Sequence, residues 1–161
     1  MAMPTSSSSA NQLTRDVFLS FRGKDSRTFT EYLYKALLNK KISTFIDEDL
    51  KKGEEITPAL TTAINESRIA IVIFSKNFAS SRFCLDELVM IMDCLKRKRN
   101  YRVFPVFYDV EPADVRHQKG IFTEHLNKHA TRISEEGKVQ KWKSALEKAS
   151  YIVGWNSIEY T

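Results

Sequence analysis

The sequence has few of the features that mark membrane-spanning or secreted proteins. Among its 161 residues, no apolar run approaches the roughly 20 residues needed to cross a bilayer, and we expect no membrane partner. The N-terminus has no apolar stretch of the kind that a secretory signal requires. The two cysteines, Cys84 and Cys94, show no paired spacing. We therefore predict a reducing location, the cytoplasm, with the nucleus as a second compartment.

The common motifs of cofactor enzymes are also missing. The sequence has no GxGxxG, GxxxxGK[ST], GxSxG or HExxH segment, which disfavours an ordinary dinucleotide oxidoreductase or a P-loop enzyme. His125 and His129 are four residues apart, but no cysteine or third histidine stands near them. We predict no metal site and no resident cofactor.

The balance of charge is basic, with 25 Lys and Arg residues against 20 Asp and Glu residues and a net charge of +5. A basic surface permits nucleotides, nucleic acid or acidic lipid as partners but does not choose among them. Part of the excess is the run Lys96–Arg99, which follows an apolar helical pattern. A position at a helix C-terminus, where the dipole stabilises cations, is favoured over a nuclear-import or nucleic-acid patch.

Short apolar runs alternate with helical periods from Arg15 onward, after a Ser-rich stretch over 1–14 that predicts a disordered leader. Residues 15–161 are predicted to form one domain. Strands are predicted over 17–21, 42–46, 69–74 and 101–108, with a weaker fifth around 151–155. Pro105 indicates an edge or irregular position in the fourth strand. The helical stripes include Phe122, Leu126 and Ile133 in the fourth helix and Val139, Trp142, Leu146 and Ala149 in the fifth.

This alternation predicts an α/β fold: a flavodoxin-like, five-stranded parallel sheet in the order 2-1-3-4-5, with helices on both faces. Ligands bind such sheets beyond the carboxyl ends of the strands, at the switch point between strands 1 and 3. The loop Arg22–Arg27 should lie there beside Ser75–Phe83, with the charged loop Asp47–Glu55 on the same edge. These strand ends lack the acidic pocket that a phosphoacceptor receiver needs.

The loop after strand 1 is a candidate anion site. It consists of Arg22, Gly23, Lys24, Asp25, Ser26 and Arg27. Its three cations stand at a helix N-terminus, where the dipole disfavours them unless an anion binds. Gly23 would let backbone N–H groups approach a ligand, and Asp25 or Ser26 is the predicted N-cap. A solvated helix start without any ligand is an equal alternative.

Glu87 is the candidate catalytic carboxylate. It stands in the first turns of the helix that begins beside the switch point, and we predict that it lies off the face of Leu85, Leu88 and Met92 and near the surface. A carboxylate there could stabilise an oxocarbenium-like ribosyl cation. The alternative is that it only complements the helix dipole.

Four segments in this order resemble plant TIR (Toll/interleukin-1 receptor) domains. They are DVFLSFRG (Asp16–Gly23), STFIDEDLKKGEEITPAL (Ser43–Leu60), IAIVIFSKNFASSRFCLDEL (Ile69–Leu88) and VFPVFYDVEPADVRHQKGIF (Val103–Phe122). The resemblance implies a TIR fold and an NAD+ nucleosidase, a hydrolase that cleaves the nicotinamide–ribose bond of NAD+ or NADP+ on self-association and signals in plant innate immunity, disease resistance and cell death. The alternative is a non-catalytic module for homotypic TIR–TIR interaction.

The resemblance also implies residue roles. It makes Glu87 catalytic, and it assigns substrate contacts to Phe21, Arg22, Gly23, Lys24, Asp25, Ser26, Arg27, Glu54 and Phe83. Loop Asp47–Glu55 matches the BB loop, which closes over the site from a neighbouring protomer, and we predict a positive φ at its Gly53. Self-association into a dimer or tetramer would use this loop and the helical faces. Cys84 matches a cysteine of a second activity, cyclic nucleotide synthesis on nucleic acid.

Four residues at three sites depart from the usual plant pattern. Lys24 replaces a common glutamate, which makes the loop more basic. Phe83 replaces a tryptophan, and Glu31-Tyr32 replaces a Ser-His or Asp-His pair at the self-association face. The stretch Arg27-Thr28-Phe29 is also one residue shorter than usual.

Overall fold

The computed structural model describes residues 15–46, 57–133 and 137–160. Five parallel strands form one sheet in the order β2-β1-β3-β4-β5. They are β1 (Val17–Ser20), β2 (Thr44–Ile46), β3 (Ile69–Phe74), β4 (Arg102–Phe107) and β5 (Trp155–Asn156). The predicted flavodoxin-like order is confirmed, and β1 and β3 pair at its centre, where the strand order reverses. The predicted leader over 1–14 lies outside the described residues.

Six α-helices connect or follow these strands in the described part of the chain. They are α1 (Arg27–Asn39), α2 (Pro58–Glu66), α3 (Arg82–Arg97), α4 (Pro112–His117), α5 (Ile121–Ala130) and α6 (Lys138–Ser150). Two of the helix starts carry a side-chain cap: Thr57 accepts from the Leu60 N–H at 3.2 Å, and Ser81 accepts from the Cys84 N–H at 3.1 Å. Pro58 follows the first cap, a position where its missing N–H interrupts no helical hydrogen bond.

The sheet separates two apolar cores. Alternate strand residues point to opposite faces, so Phe18 enters one core while Val17 and Leu19 enter the other. The larger core takes its helical residues from α2 to α6, including Trp142 and Leu146 at the predicted spacing on α6. The smaller core is covered by α1 through Phe29, Leu33 and Leu37. Helices therefore lie on both faces, as predicted.

Several boundaries differ from the predictions. The fourth predicted helix ends at Ala130, so Ile133 lies beyond it although it packs on the larger core. The fifth strand is limited to Trp155–Asn156, and the predicted residues before it, 151–154, form the turn and the irregular segment that follow α6. Helix α4 was not predicted at all, because its six residues bury only Val115.

Pro105 lies where β4 is locally an edge, one of the two positions predicted for it. Strand β4 pairs with β3 along its whole length, but with β5 only at Val106 and Phe107. Pro105 therefore lies before the residues of β4 that pair with β5. Its missing N–H interrupts no hydrogen bond between these strands. Gly154 passes so close that a Cβ there would lie 1.9 Å from the Pro105 carbonyl oxygen.

Both cysteines are buried, and neither forms a disulfide. None of the helices in the described part of the chain is long and apolar enough to cross a membrane.

Candidate functional site

The carboxyl end of β1 is the floor of the candidate site. Ser20 and Phe21 are buried there, and the chain then turns at Gly23, whose φ of +95° is a conformation that glycine adopts without strain. A Cβ at Gly23 would lie 2.8 Å from the Cβ of Asn77, in the loop after β3. The loops after β1 and β3 are thus in contact, as the switch-point argument predicted.

Glu87 lies directly over this floor, on the second turn of α3. Its Oε1 accepts a 2.8 Å hydrogen bond from the hydroxyl of Ser20. The predicted position near the surface is wrong, because Glu87 is only 1% exposed. The reason is that the first two turns of α3 are packed on several sides, so that Phe83, Cys84, Leu85, Glu87 and Leu88 are all buried.

The preceding residue, Asp86, has a different task. The indole N–H of Trp142 donates to Asp86 Oδ1 at 2.9 Å, and the ammonium of Lys138 lies 3.6 Å from Oδ2. These contacts fasten α3 to α6 on the side away from β1. Of the two adjacent acids, Glu87 is therefore the one directed at the switch point.

Polar contacts fix the backbone of the loop after β1. The carbonyl of Arg22 accepts from the hydroxyls of Ser26 and Ser75, each at 3.3 Å. The carbonyl of Phe21 lies 3.5 Å from the thiol of Cys84, on the first turn of α3. The loop is therefore connected to α1, to the end of β3 and to α3. Cys84 is fully buried, and its thiol contributes to this connection.

The cations of the loop stand at the N-terminus of α1, as predicted. Ser26 occupies the N-cap position, but its side chain makes no capping bond and bonds Arg22 instead, which corrects the predicted capping role. The first turn of α1 contains no acid. The Arg27 guanidinium lies 5.7 Å from the centroid of the Phe21 ring and 3.8 Å from the Glu31 carboxylate. Lys24 and Asp25 are exposed. An anion would be stabilised at this end of the helix.

The aromatic residues of the site are packed inside the protein. Phe83 is 5% exposed and belongs to the larger core, while Phe21 belongs to the smaller one. The resemblance assigns a substrate contact to Phe83, but in this structure core contacts cover its ring. Glu54 and Gly53 lie outside the described residues, so their predicted roles stay predictions.

The two histidines considered as metal ligands, His125 and His129, lie on α5. No group of three or more His, Cys, Asp or Glu side chains in the part of the chain that the structure describes could hold a metal ion. His129 instead lies 2.9 Å from the Ala79 carbonyl and packs edge-on against Trp142. The cavity between α3 and α6 has no lining residue from the Glu87 site, whereas a second cavity, at the end of β4, includes Lys76 and Asn77 of the loop after β3.

Ser20, the hydrogen-bond partner of Glu87, was not predicted from the sequence. The available signal was a single hydroxyl inside the apolar run 17–21, since a buried polar group in a strand needs a hydrogen-bond partner. Ser75, which directly follows the apolar run 69–74, carries the same signal, and its hydroxyl donates to the Arg22 carbonyl in the loop after β1.

Comparison with known proteins agrees with this architecture. The family model described as "TIR domain" matches residues 15–161. The chain is 47% identical over 146 residues to "Disease resistance protein RUN1" of Vitis rotundifolia, covering 89% of this chain. It is 47% identical over 152 residues to "TMV resistance protein N" of Nicotiana glutinosa, covering 92% of this chain. The chain spans only 11% and 13% of the lengths of these two relatives.

A solved structure shows the same fold. The TIR domains of the activated Roq1 resistosome, described as directly recognizing the pathogen effector XopQ, superpose with a TM-score of 0.81 and 46% sequence identity. The alignment covers 89% of this chain and 87% of that one.

Proposed function

This chain belongs to the TIR domain family, and from that premise we propose that it is an NAD+ nucleosidase activated by self-association. The substrate is NAD+ or NADP+, and no resident cofactor takes part. The output is a signal in plant innate immunity and cell death, delivered in the cytoplasm, with the nucleus as a second compartment. The observation that carries this proposal is the carboxylate of Glu87, held by Ser20 at the switch point of the sheet.

The reaction that suits this arrangement is cleavage of the N-glycosidic bond of nicotinamide. As that bond breaks, its electron pair moves to the pyridinium nitrogen, and neutral nicotinamide leaves. Positive charge develops on the ribose, where one carboxylate can stabilise an oxocarbenium-like transition state. Water then adds to the anomeric carbon and loses a proton, which yields ADP-ribose or its phosphorylated form.

The basic loop would hold the other end of the substrate. Arg22, Lys24 and Arg27 surround the N-terminus of α1, whose partial positive charge favours phosphate. The same loop is joined to α3 through the Phe21 carbonyl and Cys84. A pyrophosphate bound at the loop would therefore be in a fixed relation to Glu87.

The burial of Glu87 supports activation by assembly. With only 1% of the residue exposed, a ribose can reach the carboxylate in this conformation only after a rearrangement. We place that rearrangement in the association of protomers, to which the loop Asp47–Glu55 and exposed helical residues such as Tyr32 on α1 would contribute. The resistosome to which the chain is similar is itself an assembly.

A second candidate function is a non-catalytic interaction module. It is favoured by one observation: Glu87 bonded to Ser20 in a closed core is also a sound structural contact. In that case homotypic contacts alone would transmit the signal, and turnover would be unnecessary.

Nicotinamide release separates the two functions. The experiment compares three proteins over a range of protein concentrations: wild type, Glu87→Gln and the control Glu147→Gln. The control alters an exposed carboxylate on α6. The enzyme predicts release that rises faster than linearly with concentration, persists in the control and disappears in Glu87→Gln. If wild type releases no nicotinamide while light scattering shows that it is assembled, the enzyme is refuted and the interaction module is supported.

A further inference from the structure

A groove separates the second half of α3 from α6, on the flank of the molecule away from β1. It encloses about 480 Å³ and is open to solvent. Its floor is apolar and consists of Val89, Met92 and Leu95 from α3, Ala145 from α6, and Ile152. All of these except Ala145 are half-buried. They pack on the larger core with one side and face the groove with the other.

Lysines form the rim of this groove. Lys96 stands on the α3 side, and Lys141 and Lys148 stand two turns apart on the α6 side. All three are exposed, and none forms an ion pair with another residue in the described ranges. The one acid in the lining, Asp93, is neutralised by Arg97, whose Nε lies 2.8 Å from its carboxylate. The rim therefore carries a net positive charge.

The structure also divides the basic run 96–99. Arg97 turns toward Asp93 and Asn65. The ammonium of Lys98 donates to the carbonyl of Asn65, at the end of α2. Only Lys96 joins the lysines of α6. The run therefore does not form one continuous patch of the kind that follows a nucleic-acid backbone, and part of its charge is directed to the groove.

We propose that this groove binds an acidic amphipathic helix of a partner protein. An apolar floor about two helical turns long, bordered by cations, is complementary to a helix whose apolar stripe is flanked by Asp and Glu. Met92 gives the floor an adaptable side chain. A lipid surface fits less well, because the apolar residues are recessed between two helices while the lysines stand above them.

The test uses a panel of acetylated, amidated helical peptides labelled with a fluorophore. One set has Leu and Ile on one face flanked by Glu, and a matched set has Lys in place of every Glu. Anisotropy titrations compare wild type with Lys141→Glu/Lys148→Glu. The control, Lys35→Glu/Lys143→Glu, makes the same change of charge at exposed lysines outside the groove.

If the groove binds acidic helices, wild type and the control variant should bind the acidic peptides but not the basic peptides. The double reversal in the groove should weaken binding at least about tenfold, since two rim charges then repel the peptide. Vesicles of phosphatidylcholine and phosphatidylserine are titrated in parallel. Three results would overturn the proposal: no acidic peptide binds, both double variants bind equally, or only the vesicles bind and the groove variant loses them.

Discussion

The hydroxyl of Ser20 donates a 2.8 Å hydrogen bond to Glu87 Oε1, joining residues that are 67 positions apart in the sequence. Ser20 ends β1 and Glu87 stands on the second turn of α3, and both are almost completely buried. A substitution of either residue therefore removes the hydrogen-bond partner of the other. This pairing allows catalytic and structural contributions of the site to be measured separately.

The first prediction compares two substitutions of Glu87. Glu87→Gln keeps the shape and an acceptor for Ser20, so we expect lost NAD+ cleavage with little change in melting temperature. Glu87→Ala leaves the hydroxyl without that acceptor and should cost about 1–3 kcal/mol. For a domain of this size, each kcal/mol lowers the melting temperature by about 2–4 °C. Thermal melts and nicotinamide release check both. Equal melts for wild type and Glu87→Ala would refute the structural part.

The second prediction concerns Ser20 as a positioning residue. Ser20→Ala keeps the carboxylate but removes its donor, so we expect kcat to fall about tenfold, equivalent to about 1.4 kcal/mol, with KM nearly unchanged. Thr131→Ala is the control, because it removes an exposed hydroxyl bonded to the Lys128 carbonyl, outside the site. If Ser20→Ala changed KM and left kcat intact, Ser20 would act on binding rather than on the position of Glu87.

The sequence was a better guide to the fold than to this site. Strand β3 could be predicted to the residue because six consecutive apolar residues, rich in isoleucine and valine, leave few alternatives. Helix α4 could not, because one buried residue in six shows no period. The burial of Glu87 depends on a strand far away in the chain, and a helical pattern alone does not reveal which residues that strand will cover. The loop after β1 was placed correctly because parallel strands end at the same edge.

The third prediction is a pH dependence of stability. Burial lowers the pKa of His129 below its ordinary value, with Arg82, His125 and Arg132 acting in the same direction, while the bond to the Ala79 carbonyl opposes the shift. The unfolded state therefore takes up a proton first as the pH falls below about 6.5. This contribution to stability is complete above that pH and is lost as the pH falls through the folded pKa.

Urea denaturation at about pH 7.5 and pH 5.5 checks this sign. The loss of stability between the two pH values should be larger in wild type than in His129→Gln, which does not titrate. A loss of the same size in both proteins would show that His129 contributes nothing to the pH dependence.

The fourth prediction concerns the contact of Gly154 with β4. A Cβ at Gly154 would meet the Pro105 carbonyl oxygen at 1.9 Å, so Gly154→Ala should displace β5 and cost about 1–3 kcal/mol. The neighbouring Val153, which is 89% exposed, supplies the control Val153→Ala. The near-UV circular dichroism spectrum should change only in Gly154→Ala, because a displaced β5 alters the surroundings of Trp155. An unchanged spectrum and melting temperature would mean that the chain accommodates the methyl group elsewhere.

The stacking of Phe29 has a practical consequence. Its ring lies 5.0 Å from that of Tyr108 and 5.6 Å from that of Trp155. The second tryptophan, Trp142, is fully buried on the opposite side of the sheet. Replacing either indole with phenylalanine leaves one tryptophan, which can be excited apart from the tyrosines at the red edge of the absorption band and reports on a single layer of the molecule. Rearrangements of the α1 layer during assembly could then be followed in real time, without an attached dye, separately from events around α3 and α6.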